Sequence, residues 1–197
     1  SGSKLWDIDG HEYVDLVNGF GTNFLGHAPD FIKEAMHKQL DIGMEIGPQT
    51  TLAPEVAQLL CDIIGMERAA LCNTGSEAVI GAIRLARTVT GRNKIVMFDG
   101  AYHGINDEEI VRATKSGKPV PAAAGIPPES VANVVVLEYG TDEALEWIRN
   151  NSKSLAAVLV ESVQSRRPDF QPREFLHAVR EITEKTGTAL IFDEVIT

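Results

Sequence analysis

Residues 155–193 read strand, helix, strand. Leu155-Ala156-Ala157-Val158-Leu159-Val160 is an apolar run without alternation. Pro172 opens a helix that runs to Thr186 and stops at Gly187. Residues 188–193, with Ala189-Leu190-Ile191-Phe192 at their heart, form a second apolar run that ends on the carboxylate of Asp193. Strands that are apolar at every position are covered on both faces, and strands joined by helices run parallel. In such a sheet, ligands bind beyond the carboxyl ends of the strands. The reading is therefore α/β, with a mostly parallel sheet flanked by helices and Asp193 at the ligand-binding edge.

The same alternation extends upstream. Ala69-Ala70-Leu71-Cys72, Lys94-Ile95-Val96-Met97-Phe98 and Val134-Val135-Val136-Leu137 read as further strands. Helices are expected from Ser76 to Thr90, stopped by Gly91, and from Thr141 to about Asn151, with Asp142 and Glu143 in the first turn. Between Asn106 and Pro128 the pattern is lost, and Lys115-Ser116-Gly117-Lys118-Pro119 and Pro127-Pro128 mark a long surface loop. Before the sheet, Leu5–Ile8 and Glu12–Leu16 alternate around Asp9-Gly10, the pattern of a hairpin. Asn18-Gly19-Phe20-Gly21-Thr22-Asn23 calls for unusual backbone angles. Pro29 opens a helix to about Leu40, and Pro54 opens another that Gly65 closes. The expected division is a hairpin and helical segment over 1–52 and a ligand-binding domain over 53–197.

Composition bounds the function. The chain has 197 residues, 44% hydrophobic and 23% charged, with a net charge of −10, enough for one sizeable core. That acidity argues against nucleic acid or an anionic membrane surface as partner. No apolar stretch approaches the roughly 18 residues of a membrane span. Cys61 and Cys72 lie in apolar runs and read as buried thiols of a reducing compartment, hence a cytoplasmic protein.

Several groups fall at that strand edge. Asn73-Thr74-Gly75-Ser76-Glu77 sits at a helix start, where free N–H groups and the helix dipole favour an anion such as phosphate. The same residues also describe a simple helix cap. Tyr102-His103-Gly104 follows a strand, so Tyr102 can stack on a flat ring or fill the core. His103 can act as a base or as a structural hydrogen-bonding group. Glu161-Ser162-Val163-Gln164 ends another strand; Glu161 faces the crevice or pairs with Arg166 or Arg167, and Gln164 can donate to a phenolate oxygen. Asp193 needs a partner if buried, and a protonated pyridine nitrogen is one, the pair keeping that ring an electron sink. Val195 would then pack against the ring. An apolar strand ending in Asp-Glu also suits a magnesium-dependent ATPase, but the required Gly-x-x-x-x-Gly-Lys-Ser/Thr loop is absent. No metal ligands are assigned.

Taken in order, Asn73–Ala78, Tyr102-His103-Gly104, Glu161-x-Val163-Gln164 and Asp193–Thr197 resemble the class III, fold type I aminotransferases that use pyridoxal 5'-phosphate (PLP). The resemblance runs from the first hairpin to Thr197 and is nearest the glutamate-1-semialdehyde aminomutase-like branch. It implies the large domain of that fold, with Gly75 and Ser76 on the phosphate, Tyr102 and Val195 on opposite ring faces, Gln164 at the phenolic oxygen and Asp193 at the pyridinium. Gly47–Thr51 resembles a segment that reaches the substrate, which makes Gln49 and Thr50 substrate-side candidates beside His103 and Glu161 at the strand edge. The family's usual proline stands as Ser162 here. The stretch Gln164–Leu176 looks like aminotransferase domains of polyketide and nonribosomal peptide synthases, which implies an acyl carrier protein as a further partner. By the resemblance, an amine donor gives its nitrogen to a carbonyl acceptor, or an aminomutase moves it within one molecule, in a homodimer. The covalent anchor lysine and a small C-terminal domain would lie beyond Thr197. None of the lysines present stands at a motif position, so the isolated chain is expected to be truncated and inactive, or to be only a cofactor-binding or scaffold fragment.

Overall fold

The computed structural model describes residues 2–43, 50–114 and 116–196. These form two compact units, Ser1–Leu71 and Cys72–Thr197. The division falls in the irregular stretch after Gly65, not at 52/53, so the second helix belongs with the N-terminal unit.

In that unit β1 (Lys4–Trp6) pairs antiparallel with β2 (Glu12–Val14), Leu5 opposite Tyr13. The connection is longer than an Asp9-Gly10 turn. The Asp7 carboxylate closes it by accepting from the N–H groups of Asp9 and His11 and from the Tyr13 hydroxyl. Asn18, Gly19 and Phe20 all take left-handed backbone angles, as the glycine-rich stretch requires. Helix α1 spans Asp30–Ile42 and α2 spans Leu52–Ile64. The second begins two residues ahead of Pro54, because Thr50 Oγ1 accepts from the Leu52 N–H and nucleates the first turn there. Cys61 on α2 is half-buried and Cys72 is exposed, so the expectation of two buried thiols is corrected.

The second unit is built on four parallel strands in the order β6-β3-β7-β8: β3 (Lys94–Phe98), β6 (Val134–Leu137), β7 (Leu155–Glu161) and β8 (Ala189–Asp193). Side chains alternate between the two faces. Ile95, Met97, Ala157 and Leu159 meet Val79, Ile83 and Ala86 of α3 (Gly75–Thr90). On the other face, Val96, Phe98, Val158 and Val160 meet Ala144 and Ile148 of α4 (Asp142–Asn151) and Phe175, Val179 and Ile182 of α5 (Arg173–Thr186). All seven residues of β7 are buried, which is why its sequence carries no alternation.

Two expectations are corrected here. Ala69–Cys72 forms no strand, since an apolar run becomes one only where a neighbour completes its ladder, and Ala70, Leu71 and Cys72 lie exposed. The 106–128 loop contains a short hairpin, β4 (Val111–Ala113) against β5 (Pro119–Pro121). Val111 and Ala113 pack on the α3 side of the core. No described helix is long and apolar enough to cross a membrane.

Arg92 was not singled out by the sequence, yet it ties the opposite end of the sheet together. Its guanidinium donates to the carbonyls of Leu155 and Thr186 at 3.1 and 3.0 Å, with longer bonds to Ser152, Gly187 and Thr188. A cation there also suits the C-terminus of α5. Arg92→Ala leaves several carbonyls unpaired and is expected to cost about 2–3 kcal/mol. Lysine, lacking the planar fork, should restore only part. Urea denaturation measures both, and a loss under about 0.5 kcal/mol, the size of an ordinary surface substitution, would show the network to be idle.

Candidate active site

Four segments of the second unit converge at the carboxyl end of the sheet: the start of α3, the turn after β3, the end of β7 and the end of β8. Thr74 caps α3 and forms a capping box, its hydroxyl accepting from the Glu77 N–H while Glu77 accepts from Asn73 and Thr74 N–H. The cap reading is therefore correct, and it leaves the anion reading room. Ala78 N–H bonds the Thr74 carbonyl, whereas the Gly75 and Ser76 N–H groups have no partner among the described residues. They are the two donors this helix start can offer an anion. A Cβ on Gly75 would lie 3.3 Å from Val195 Cγ2, which brings the helix start and the end of β8 together.

After β3 the chain turns through Gly100 (φ 82°). The Gln164 amide nitrogen donates to the Asp99 carbonyl at 2.8 Å, fixing how the amide points. Gln164 Oε1 is buried and has no partner among the described residues. One of its two N–H bonds thus holds the turn rather than a ligand. Tyr102 is 55% exposed, which overturns the core-tyrosine alternative and leaves its ring free to cover a flat ligand. Its N–H donates to Glu161 Oε2 at 3.0 Å, and Ser165 N–H donates to Glu161 Oε1 at 3.2 Å. Glu161 is 5% exposed, so it holds the Tyr102 backbone in place. Among the described residues it forms no ion pair with Arg166 or Arg167. Arg167 instead lies over the Phe170 ring, 4.4 Å from its centroid.

Asp193 lies opposite Glu161 in the β7–β8 register. His103 Nδ1 is 2.8 Å from Asp193 Oδ2, both side chains nearly buried, and Val195 N–H donates to Oδ1. Burial alone would raise the Asp193 pKa, but the His103 hydrogen bond and the Val195 N–H hold it below the ordinary carboxylate value. The carboxylate is thus ionised and oriented. His103 is 4% exposed and its Nε2 has no partner among the described residues. It orients Asp193, the structural hydrogen-bonding role that the sequence left open beside that of a base.

Thr50 belongs to the N-terminal unit and spends its hydroxyl on α2. Gln49 lies outside the described residues. Two residues that sequence reading missed stand beside Ser76. Ile105 N–H donates to Ser76 Oγ, and Asn106 Nδ2 donates to the Ser76 carbonyl and to both oxygens of Glu109.

A parallel sheet with an ionised aspartate at its carboxyl edge, a capped helix start with two free amides and an exposed aromatic between them defines the large-domain architecture of fold type I PLP enzymes. The class-III aminotransferase family matches residues 1–197, and the chain belongs to it. The chain is 39% identical to the glutamate-1-semialdehyde 2,1-aminomutase 2 of Lachnoclostridium phytofermentans, over 100% of this chain and 47% of that protein. It superimposes on an omega-transaminase from Sphaerobacter thermophilus with a TM-score of 0.91 and 35% identity, covering 100% of this chain and 47% of that one. A transaminase solved with PLP bound gives a TM-score of 0.89 at 33% identity, over 98% of this chain and 47% of that one. The chain spans about half the length of the curated relatives it matches.

Proposed function

We propose that these residues serve PLP-dependent transfer of an amino group from an amine donor to the carbonyl carbon of a small molecule. Asp193 carries this reading, as a nearly buried carboxylate whose pKa is held down by His103 at the ligand edge of the sheet. When bound, PLP supplies a cationic ring that draws electrons from the carbon bearing the amino group. Asp193 keeps the proton on the ring nitrogen. His103 keeps Asp193 charged and aimed. Tyr102 and Val195 would pack against the ring. The Gly75 and Ser76 amides, with the Ser76 hydroxyl, take the phosphate. The remaining N–H of Gln164 is the donor for the phenolic oxygen, and Gln49 and Thr50 stay as substrate-side candidates by resemblance.

The structure bears on this fit independently of family. The helix start keeps two donors free, and the one exposed aromatic of the Tyr102–Ile105 turn is anchored from below by a buried glutamate. Titrating PLP into the chain, with tryptophan fluorescence and cofactor absorbance as readouts, should give saturable binding that phosphate competes away. Ser76→Ala should weaken it roughly tenfold, as expected for a lost hydrogen bond to a charged group. Binding that ignores both phosphate and Ser76→Ala would reject the phosphate assignment.

A 2,1-aminomutase is the second reading, favoured by the relatives at 37–39% identity that bear this name. Supplying glutamate 1-semialdehyde alone to the complete enzyme separates the two, because an aminomutase needs no second amine. The acceptor is free or tethered to an acyl carrier protein, the Gln164–Leu176 resemblance supporting the tethered form. A homodimer is proposed on the same family ground, and a cytoplasmic setting on the free thiols of Cys61 and Cys72.

A further inference from the structure

Gly104 brings two groups face to face. A Cβ there would lie 2.5 Å from Ser76 Oγ and 2.8 Å from Glu109 Oε2, so the carboxyl sits a few ångströms from the hydroxyl assigned to phosphate. Asn106 Nδ2 bonds the Ser76 carbonyl at 3.3 Å and the two Glu109 oxygens at 2.8 and 2.7 Å. No ion pair is formed by Glu109 among the described residues. The nearby Arg87 is committed to Glu108. A half-buried carboxylate without a cation, next to a dianion, is repelled by it at close range.

We propose that Asn106 and Glu109 are positioning residues for the phosphate turn: they clasp the first turn of α3 against the Tyr102–Ile105 loop, and the neutral Glu109 carboxyl is the form that admits a phosphate. This rests on the phosphate reading of Gly75 and Ser76. Burial pushes the Glu109 carboxyl up to about 7, against the partial opposition of Asn106 and His103. The charged and titratable groups around it are His103 at the loop's start, Asp107 and Glu108 on its own loop, and Arg84 and Arg87 of α3. Glu109, Arg84 and Arg87 also line a cleft of about 580 Å³. The sign is fixed by the raised value. Glu109 favours the folded, phosphate-ready turn at low pH, and this contribution is lost as pH rises through about 7.

Inorganic sulfate is the probe, because it remains a dianion where phosphate titrates. Amide NMR shifts of Gly75 and Ser76 report its binding at about pH 5.5 and about pH 8.5, on either side of the Glu109 transition. Wild-type chain should bind sulfate roughly five- to tenfold more weakly at the higher pH, the size of one screened like-charge contact. Glu109→Gln keeps an acceptor for Asn106 and should bind equally at both pH values, at the wild-type acidic affinity. Asn106→Ala should weaken binding at both. A flat wild-type profile, or a wild-type profile retained by Glu109→Gln, overturns the proposal while leaving the phosphate turn intact. No response at Gly75 or Ser76 at either pH overturns both. A His103 contribution would survive in Glu109→Gln and is thereby separated.

Discussion

Asp193→Asn in the complete enzyme should lower amino-transfer turnover by roughly three orders of magnitude, about 4 kcal/mol in the barrier. Cofactor affinity should fall far less. The asparagine oxygen can still accept from His103 Nδ1, now at 2.8 Å, so the side chain keeps its orientation and the strand its edge. On the proposed reading, what disappears is the charge that would hold a proton on the ring nitrogen, and with it the electron sink. The wild-type carboxylate has its pKa held below the ordinary value. Its stabilising contribution is therefore full above the unfolded-state value and is lost only as pH falls through the lower folded value. Activity should not decline at the acidic end until that point, so far as Asp193 decides it. Turnover within a few-fold of wild type in Asp193→Asn would remove Asp193 from the ring nitrogen. A matched loss of cofactor binding and turnover would show that the residue holds the cofactor rather than tunes it.

The parts of the site that were legible in sequence are those made by one short segment. Asp193 could be read because a strand that is otherwise apolar ends on a charge. Thr74 and Glu77 could be read because a helix cap is a pattern of four consecutive residues. Strands Lys94–Phe98 and Val134–Leu137 were legible for the same reason: each is buried on both faces and so carries an unbroken apolar run. The illegible parts depend on partners far along the chain. Asn106 meets Ser76 thirty positions away, and Arg92 meets carbonyls beyond residue 150. Nothing within either segment announces those contacts. Glu161 was placed on the correct edge, but neither of the readings its charge suggested, the crevice or an arginine, announced the two backbone N–H groups that geometry supplies. Val111–Ala113 was lost in the loop because its partner strand begins and ends with proline, which reads as a breaker.

Gly104→Ala is expected to have the largest effect on stability. Gly104 has φ 120°, a region that residues with a Cβ rarely adopt and that costs them on the order of 1–3 kcal/mol. The added methyl would also lie 2.5 Å from Ser76 Oγ and 3.1 Å from Ser76 Cα. The hydroxyl could rotate away, but the Cα belongs to the first turn of α3, which the Thr74–Glu77 box holds in place. Either the loop or the helix start must shift, and the bond from Ile105 N–H to Ser76 Oγ is lost with it. Together these should cost about 3–4 kcal/mol and weaken sulfate or PLP binding more than tenfold, because the displaced amides are the proposed phosphate donors. Gly81 provides the control on the same helix. A Cβ there meets nothing within 4 Å, so Gly81→Ala should stabilise by about 0.5–1 kcal/mol through helix propensity alone. Urea denaturation of the two variants reads the difference. Equal stability of Gly104→Ala and wild type would mean that the Tyr102–Ile105 turn does not press against α3, and the case for a single preformed phosphate turn would fail with it.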